Sequence, residues 1–367
     1  VDRGSFSTLT CFPGKELANN YSLNTVDICP VGALTSTDFR FKMRVWFLKE
    51  SKSVCTESSA GCNTLVSSRE GTIQRITPRR NDQVNDTWMT DSGRELYKIV
   101  KVESRIRRPS FQGSDLPLDD AISQAFEALK NKKIGVVASC HSSLEEQFLI
   151  KRLVEETGAK VFIRGHFGED DGILLSADRT PNLRGALVAG LTNHYPSDHL
   201  NDLNESLADG HVEALLVMGE DLKESGVNED HLKKVPLVFL GTHQNSTSDC
   251  AEVVLPGLTV FEKSGSLINR SFFLQSFDQA IPCPAGLMTD FKILARLIDL
   301  FSEDSIAPSE LDQIWEALSS SENSVLKGIT FLKIKKGAIQ LDESKWEHLS
   351  FVEKEALHYL PTGVIAS

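Results

Sequence analysis

From about residue 118 onward, two kinds of apolar pattern alternate along the chain. The short unbroken run Ile134-Gly135-Val136-Val137-Ala138 and the segment Lys160-Val161-Phe162-Ile163 predict strands. A run without a polar face suits a parallel strand covered on both sides. Between the two runs, 143–156 carries apolar residues at helical spacing, and Gly158 supplies the stop. Ahead of them, 118–130 has the same spacing, with Asp115 and Pro117 near its start. The alternation resumes with 214–218, with 232–234 leading into 236–240, and with 253–255. Strand, helix, strand in this order predicts a doubly wound α/β domain. Helical spacing returns at 289–301 and 309–318, and from Lys327 the tail mixes short strand and helix signals.

The first hundred residues read differently. Phe39 to Phe47 alternates basic and apolar residues, which predicts a strand with one buried face. Segments 65–68 and 72–76, with Glu70-Gly71 between them, predict a hairpin. Residues 105–113, with Arg107, Arg108, Pro109 and Gly113, read as a linker. The predicted class is α/β: a small β-rich N-terminal domain, then a doubly wound domain.

Composition narrows the function. A net charge of −12 disfavours nucleic acid, whose phosphates it would repel. No run of about eighteen apolar residues exists, so no direct membrane insertion is expected. The seven cysteines are irregularly spaced, unlike a secreted disulfide framework, and suit a reducing compartment. The chain opens on Val1 and enters Arg3-Gly4-Ser5-Phe6 without a run-in, which reads as an N-terminally truncated product.

Candidate chemistry centres on cysteine. In Thr25-Val26-Asp27-Ile28-Cys29-Pro30-Val31-Gly32-Ala33-Leu34 the proline biases Cys29 toward an extended conformation, and Cys-Pro closes many cluster-binding runs. Only Cys11 lies upstream, so the set is incomplete. Cys55, Ser58 and Cys62 keep the spacing of C-x-x-C-x-x-x-C with the middle thiol replaced by a hydroxyl. Thr90, before Asp91-Ser92-Gly93-Arg94, stands where a fourth donor is expected. A cubane takes four soft thiolates, and alcohols stay protonated near neutrality. The box is therefore expected to be empty, with Cys55 and Cys62 as packed thiols. Cys140-His141-Ser142-Ser143 reads as a polar loop capping the next helix. His194 and His199, Asp170-Asp171, and Ser264-Gly265-Ser266 read as exposed loop, solvated acids and a turn. Arg75, Arg79, Arg80, Arg105, Arg107 and Arg108 face either an acidic partner or solvent.

With these stretches in view, the chain resembles the large iron–sulfur subunit of bacterial respiratory NADH:quinone oxidoreductase. The resemblance rests on the Cys29 motif, Phe39-Arg40-Phe41-Lys42 and the degenerate box. It continues through Asn182-Leu183-Arg184-Gly185-Ala186, 214–221, and Glu252 to Arg270, the last also similar to molybdopterin oxidoreductases. It implies residues 1–50 as the end of a ferredoxin-like region, 51–108 as a small degenerate 4Fe-4S domain, 114–302 as a molybdopterin-oxidoreductase-like α/β domain and 303–367 as a helical or irregular tail. It implies that Cys29 is the fourth ligand of a 4Fe-4S cluster whose other cysteines precede Val1, and that no molybdopterin is bound. The implied partners are the other peripheral-arm subunits, including the flavin and NADH-binding one, on the cytoplasmic side of the inner membrane. The runner-up functions are a molybdopterin-type oxidoreductase and a hydrogenase-linked diaphorase subunit.

Overall fold

The computed structural model describes residues 10–302, 306–320 and 324–351. The end of the tail therefore lies outside the described residues.

The N-terminal part is built on an antiparallel sheet of β1 (Lys49–Val54), β2 (Asn63–Arg69) and β3 (Thr72–Pro78), in that order. Glu70 and Gly71 both take positive φ, 50° and 72°, which makes the two-residue turn that matches strand twist. The hairpin is the expected one. The strand expected at 39–47 is absent: the segment forms turns and a 3-10 turn at Val45–Phe47, largely exposed. Its apolar side chains find no second layer to cover them, and the ladder begins only at Lys49. Ahead of the sheet lies a short helix, α1 (Asn24–Asp27), and after it α2 (Asp91–Glu95).

Residues 105–113 are pinned rather than linker-like. Strands β4 (Ser110–Phe111) and β5 (Ser114–Asp115) form a hairpin across Gln112-Gly113. Ile106 is buried, and Arg105 forms an ion pair with Glu262 at 2.7 Å inside the protein.

The α/β portion follows the expected rhythm: α3 (Leu118–Leu129), β6 (Ile134–Ala138), α4 (Leu144–Thr157), β7 (Lys160–Ile163), α5 (Leu183–Val188), α6 (Asn201–Ala208), β8 (Ala214–Met218), α7 (Glu229–Leu232), β9 (Leu237–Gly241), α8 (Ser246–Cys250) and β10 (Val253–Pro256). The sheet runs β5-β4-β10-β9-β8-β6-β7, parallel from β10 to β7, with β4 antiparallel on β10. Alternate side chains feed two cores. Val136, Ala138, Leu216 and Leu240 meet α3, α4 and α9 (Asp290–Phe301); Val137, Leu215, Val217 and Phe239 meet Leu203 and Leu207 of α6 and Leu232 of α7. Burial on both faces explains why these strands read as continuous apolar runs.

A third sheet, β11 (Gly265–Ile268), β12 (Phe273–Phe277) and β13 (Ile339–Gln340), joins the two portions. Asn269 Nδ2 donates to the Ala60 carbonyl at 3.1 Å, and the Asp278 amide donates to the Lys52 carbonyl at 2.8 Å. Ser264-Gly265-Ser266 is thus a strand start, not the expected turn; Ser266 Oγ is buried and donates to Glu145 at 2.8 Å. Helices α10 (Leu311–Ser320) and α11 (Phe331–Lys336) complete the described tail.

Candidate functional site

Three places carry chemistry. The first surrounds Cys29. Its loop follows α1, which Arg94 anchors: Nη2 donates to Asp27 Oδ2 at 2.5 Å and to Asn24 Oδ1 at 2.9 Å. The Cys29 sulfur lies against a run of backbone amides, led by Leu34 and Val31, which lower its pKa. Amides aimed at a sulfur favour the thiolate, the form that binds metal. Cys29 lines a cavity of about 720 Å³, with Leu23, Asp27, Phe39 and Arg94 around it.

The second is the box of Cys55, Ser58, Cys62 and Thr90, which the fold does bring together around one small void. One of its four donors is already engaged. Thr90 Oγ1 donates to Glu57 Oε2 at 2.5 Å and accepts from the Gly93 amide at 3.1 Å, so Thr90 is the N-cap of α2. The Cys55 amide bonds to the Cys62 carbonyl at 2.8 Å. Burial pushes the Cys55 thiol well up and the Cys62 thiol up to about 12. The void is about 10 Å³, room for roughly one water. Gly93 packs tightly against the box: a Cβ there would lie 2.7 Å from Thr90 Oγ1 and 2.9 Å from Cys55 Sγ. Two protonated thiols, two alcohols and the space of a water do not fit a four-iron cluster.

The third place carries no motif in the sequence. Chain order turns from β6 outward to β7, then back past β6 to β8, and ligands favour the crevice at such a switch, beyond the carboxyl ends of the strands. There lies a cavity of about 380 Å³. His141 follows β6, His166 follows β7, and Glu220 follows β8. Glu220 Oε2 is 2.8 Å from His166 Nε2, and Ser139 Oγ donates to Glu220 Oε1 at 2.6 Å. These contacts hold the Glu220 carboxyl below the usual carboxylate range against the cost of its burial. His141 is exposed where its loop meets the cavity, and the protein packed around its ring lowers its pKa to about 4.

At the back of this cavity Lys263 Nζ reaches Glu146 Oε1 at 2.5 Å and Asp290 Oδ2 at 3.1 Å, which raises the Lys263 pKa despite burial. Ser143 and Glu146 form the capping box of α4, so the loop after β6 does cap the next helix as expected. The lining is acidic: Glu146, Glu220, Asp221, Glu224 and Asp290 stand against Arg164 and Lys263. Cys140 is fully buried rather than on the cavity wall. A pterin diphosphate is an anion on a much larger body, so these residues do not fit molybdopterin.

Other expectations sort plainly. His194 and His199 are exposed, as expected for loop residues. Asp171 is not merely solvated: it accepts from Tyr21 Oη at 2.5 Å and from the amides of Ile173, Leu174 and Leu175. Of the arginines, Arg105 is buried in its ion pair, Arg75 lies over the Phe39 ring at 4.8 Å, and Arg80 and Arg108 pair with Asp82 and Asp115 at the surface.

Family models match three stretches. Residues 1–35 match the NADH-quinone oxidoreductase subunit 3 ferredoxin-like domain, 48–98 the NADH-ubiquinone oxidoreductase NDSU1/NuoG-like 4Fe-4S domain, and 180–300 molybdopterin oxidoreductase. The G subunit of NADH-quinone oxidoreductase from Rickettsia conorii is 31% identical over 52% of this chain and 29% of its own length. The mitochondrial NADH dehydrogenase [ubiquinone] iron-sulfur protein 1 of Solanum tuberosum is 31% identical over 52% of this chain and 26% of its own. The corresponding protein of Pseudomonas fluorescens, again the G subunit, is 30% identical over 57% of this chain and 21% of its own. The match thus spans under a third of each relative. By sequence, then, the chain is similar to the G subunit of NADH-quinone oxidoreductase, to the NuoG-like 4Fe-4S domain over residues 48–98 and to molybdopterin oxidoreductase over 180–300.

Proposed function

We propose that the chain works as a subunit of a respiratory NADH:quinone oxidoreductase, with Cys29 as one ligand of a 4Fe-4S cluster and the remainder as scaffold. One contrast carries this reading. Cys29 has a lowered pKa, converging amides and about 720 Å³ of open room. Cys55 and Cys62 have raised pKa values and about 10 Å³. Electron transfer through this chain therefore runs past Cys29 and not through the box, which is a vacated cluster site. When bound, the cluster supplies one-electron redox chemistry; the chain's part is to aim the Cys29 sulfur and to hold its loop through Arg94 and Asp27.

The partners are the other peripheral-arm subunits, the flavin and NADH-binding one among them, on the cytoplasmic side of the membrane. Exposed apolar residues in the same N-terminal stretch, among them Val31, Phe41 (92% exposed) and Trp46 (71%), support a docking face on it. No described helix is long and apolar enough to cross a membrane, which accords with attachment through partners. The test is Cys29→Ala in the chromosomal gene, followed by EPR of the purified NADH-reduced enzyme. Loss of one cubane signal is expected; an unchanged spectrum would overturn the assignment.

A further inference from the structure

We propose that His141, His166 and Glu220 form a binding site for a zinc-class divalent cation at the switch point of the parallel sheet. The inference is independent of the cluster reading, because none of its residues lies in the iron–sulfur-type portion.

The three side chains come from three loops that follow three adjacent strands, β6, β7 and β8. One donor atom from each lies within 4.8 Å of the other two. Tetrahedral zinc with bonds near 2.0–2.1 Å sets its donors about 3.4 Å apart, so small side-chain rotations close the set. His166 Nε2 already sits 2.8 Å from Glu220 Oε2, and the two imidazoles meet edge to face with centroids 5.1 Å apart.

The surroundings are those of a braced ligand set. Glu220 is 4% exposed and aimed into the cavity. Ser139 Oγ donates to Glu220 Oε1 at 2.6 Å and accepts from the His141 amide at 3.1 Å, so one hydroxyl orients two ligands. Such outer contacts fix ligand geometry and tune affinity. The loop of His166 is held by the Arg179 amide on its carbonyl, at 2.8 Å.

Charge and donor type choose the ion. Asp221 and Glu224 line the same cavity and favour a cation. Arg164 opposes them, but it is engaged by the carbonyls of Asp198 and Asp221 and by Glu224 at 3.6 Å. Two imidazoles and a carboxylate suit zinc, cobalt or iron(II) over magnesium or calcium. Three protein ligands facing a cavity leave a fourth position for water or a small ligand, unlike the closed four-ligand sets of structural zinc.

The test uses the full chain stripped with chelator, then titrated with Zn²⁺ by calorimetry and with Co²⁺ by absorption. One ion per chain is expected, with a four-coordinate cobalt band free of thiolate charge transfer. His141→Ala and His166→Ala should each weaken binding at least about 100-fold, and Ser139→Ala by about 10–100-fold. A Cys55→Ala, Cys62→Ala double variant should bind as the parent does. His166→Gln guards against misfolding, since its amide still reaches Glu220 but ligates poorly. Binding that survives both histidine substitutions, a thiolate-dominated cobalt spectrum, or no Zn²⁺ uptake by the folded parent would each overturn the proposal.

Discussion

A thiol becomes a ligand or a packing group according to what surrounds its sulfur. Cys29 faces amides that favour its anion, whereas Cys55 and Cys62 sit where no anion is welcome. Iodoacetamide at neutral pH should therefore label Cys29 ahead of Cys55, Cys62 and the buried Cys140, with a rate that rises from a pH below the ordinary thiol value. Peptide mass spectrometry along a pH series reads this; equal labelling would contradict it. A stability effect goes with it. Between about pH 8.5 and the Cys62 value near 12, the unfolded chain releases a thiol proton that the folded chain keeps. Folding stability therefore falls as pH rises, by about 1.4 kcal/mol per pH unit for that thiol. Cys62→Ala should flatten this alkaline loss. Urea midpoints at about pH 7.5 and about pH 10 measure it, and parallel slopes would show that Cys62 ionises freely.

At the scale of elements, the structure is held by a few buried charges that tie segment ends together. Lys263 joins the start of α4, through Glu146, to the start of α9, through Asp290. Lys263→Met strands two buried carboxylates and should cost about 3–5 kcal/mol in urea unfolding at neutral pH. Arg94→Met releases Asp27 and Asn24 and should cost about 1.5–3 kcal/mol, with faster proteolysis around residue 29 than elsewhere.

The elements themselves were largely legible. The β6, β8 and β9 runs had no alternative reading, being apolar on both faces, and Glu70-Gly71 named its own turn. Phe39 to Phe47 misled because alternation promises a strand only where a neighbour offers a ladder, and none is there. The role of 105–113 was hidden because its edge pairing depends on β10, more than a hundred residues away. The cysteines of the box were visible from spacing. His141, His166 and Glu220 were not, since only the sheet order brings three separate loops to one crevice.

Taken whole, the molecule pairs a small antiparallel domain with a doubly wound one, joined through the β11-β12-β13 sheet. In one, Cys55, Ser58, Cys62 and Thr90 surround about 10 Å³; in the other, acids line the crevice at the switch point of the sheet. Both portions rest on apolar burial and buried ion pairs.

The most direct measurement is iron bound by the 367-residue chain after anaerobic reconstitution with iron and sulfide, with EPR, in the parent and in Cys55→Ala and Cys62→Ala. Neither substitution is expected to change iron content or signal. A cubane spectrum with four irons per chain that disappears with either cysteine would contradict it.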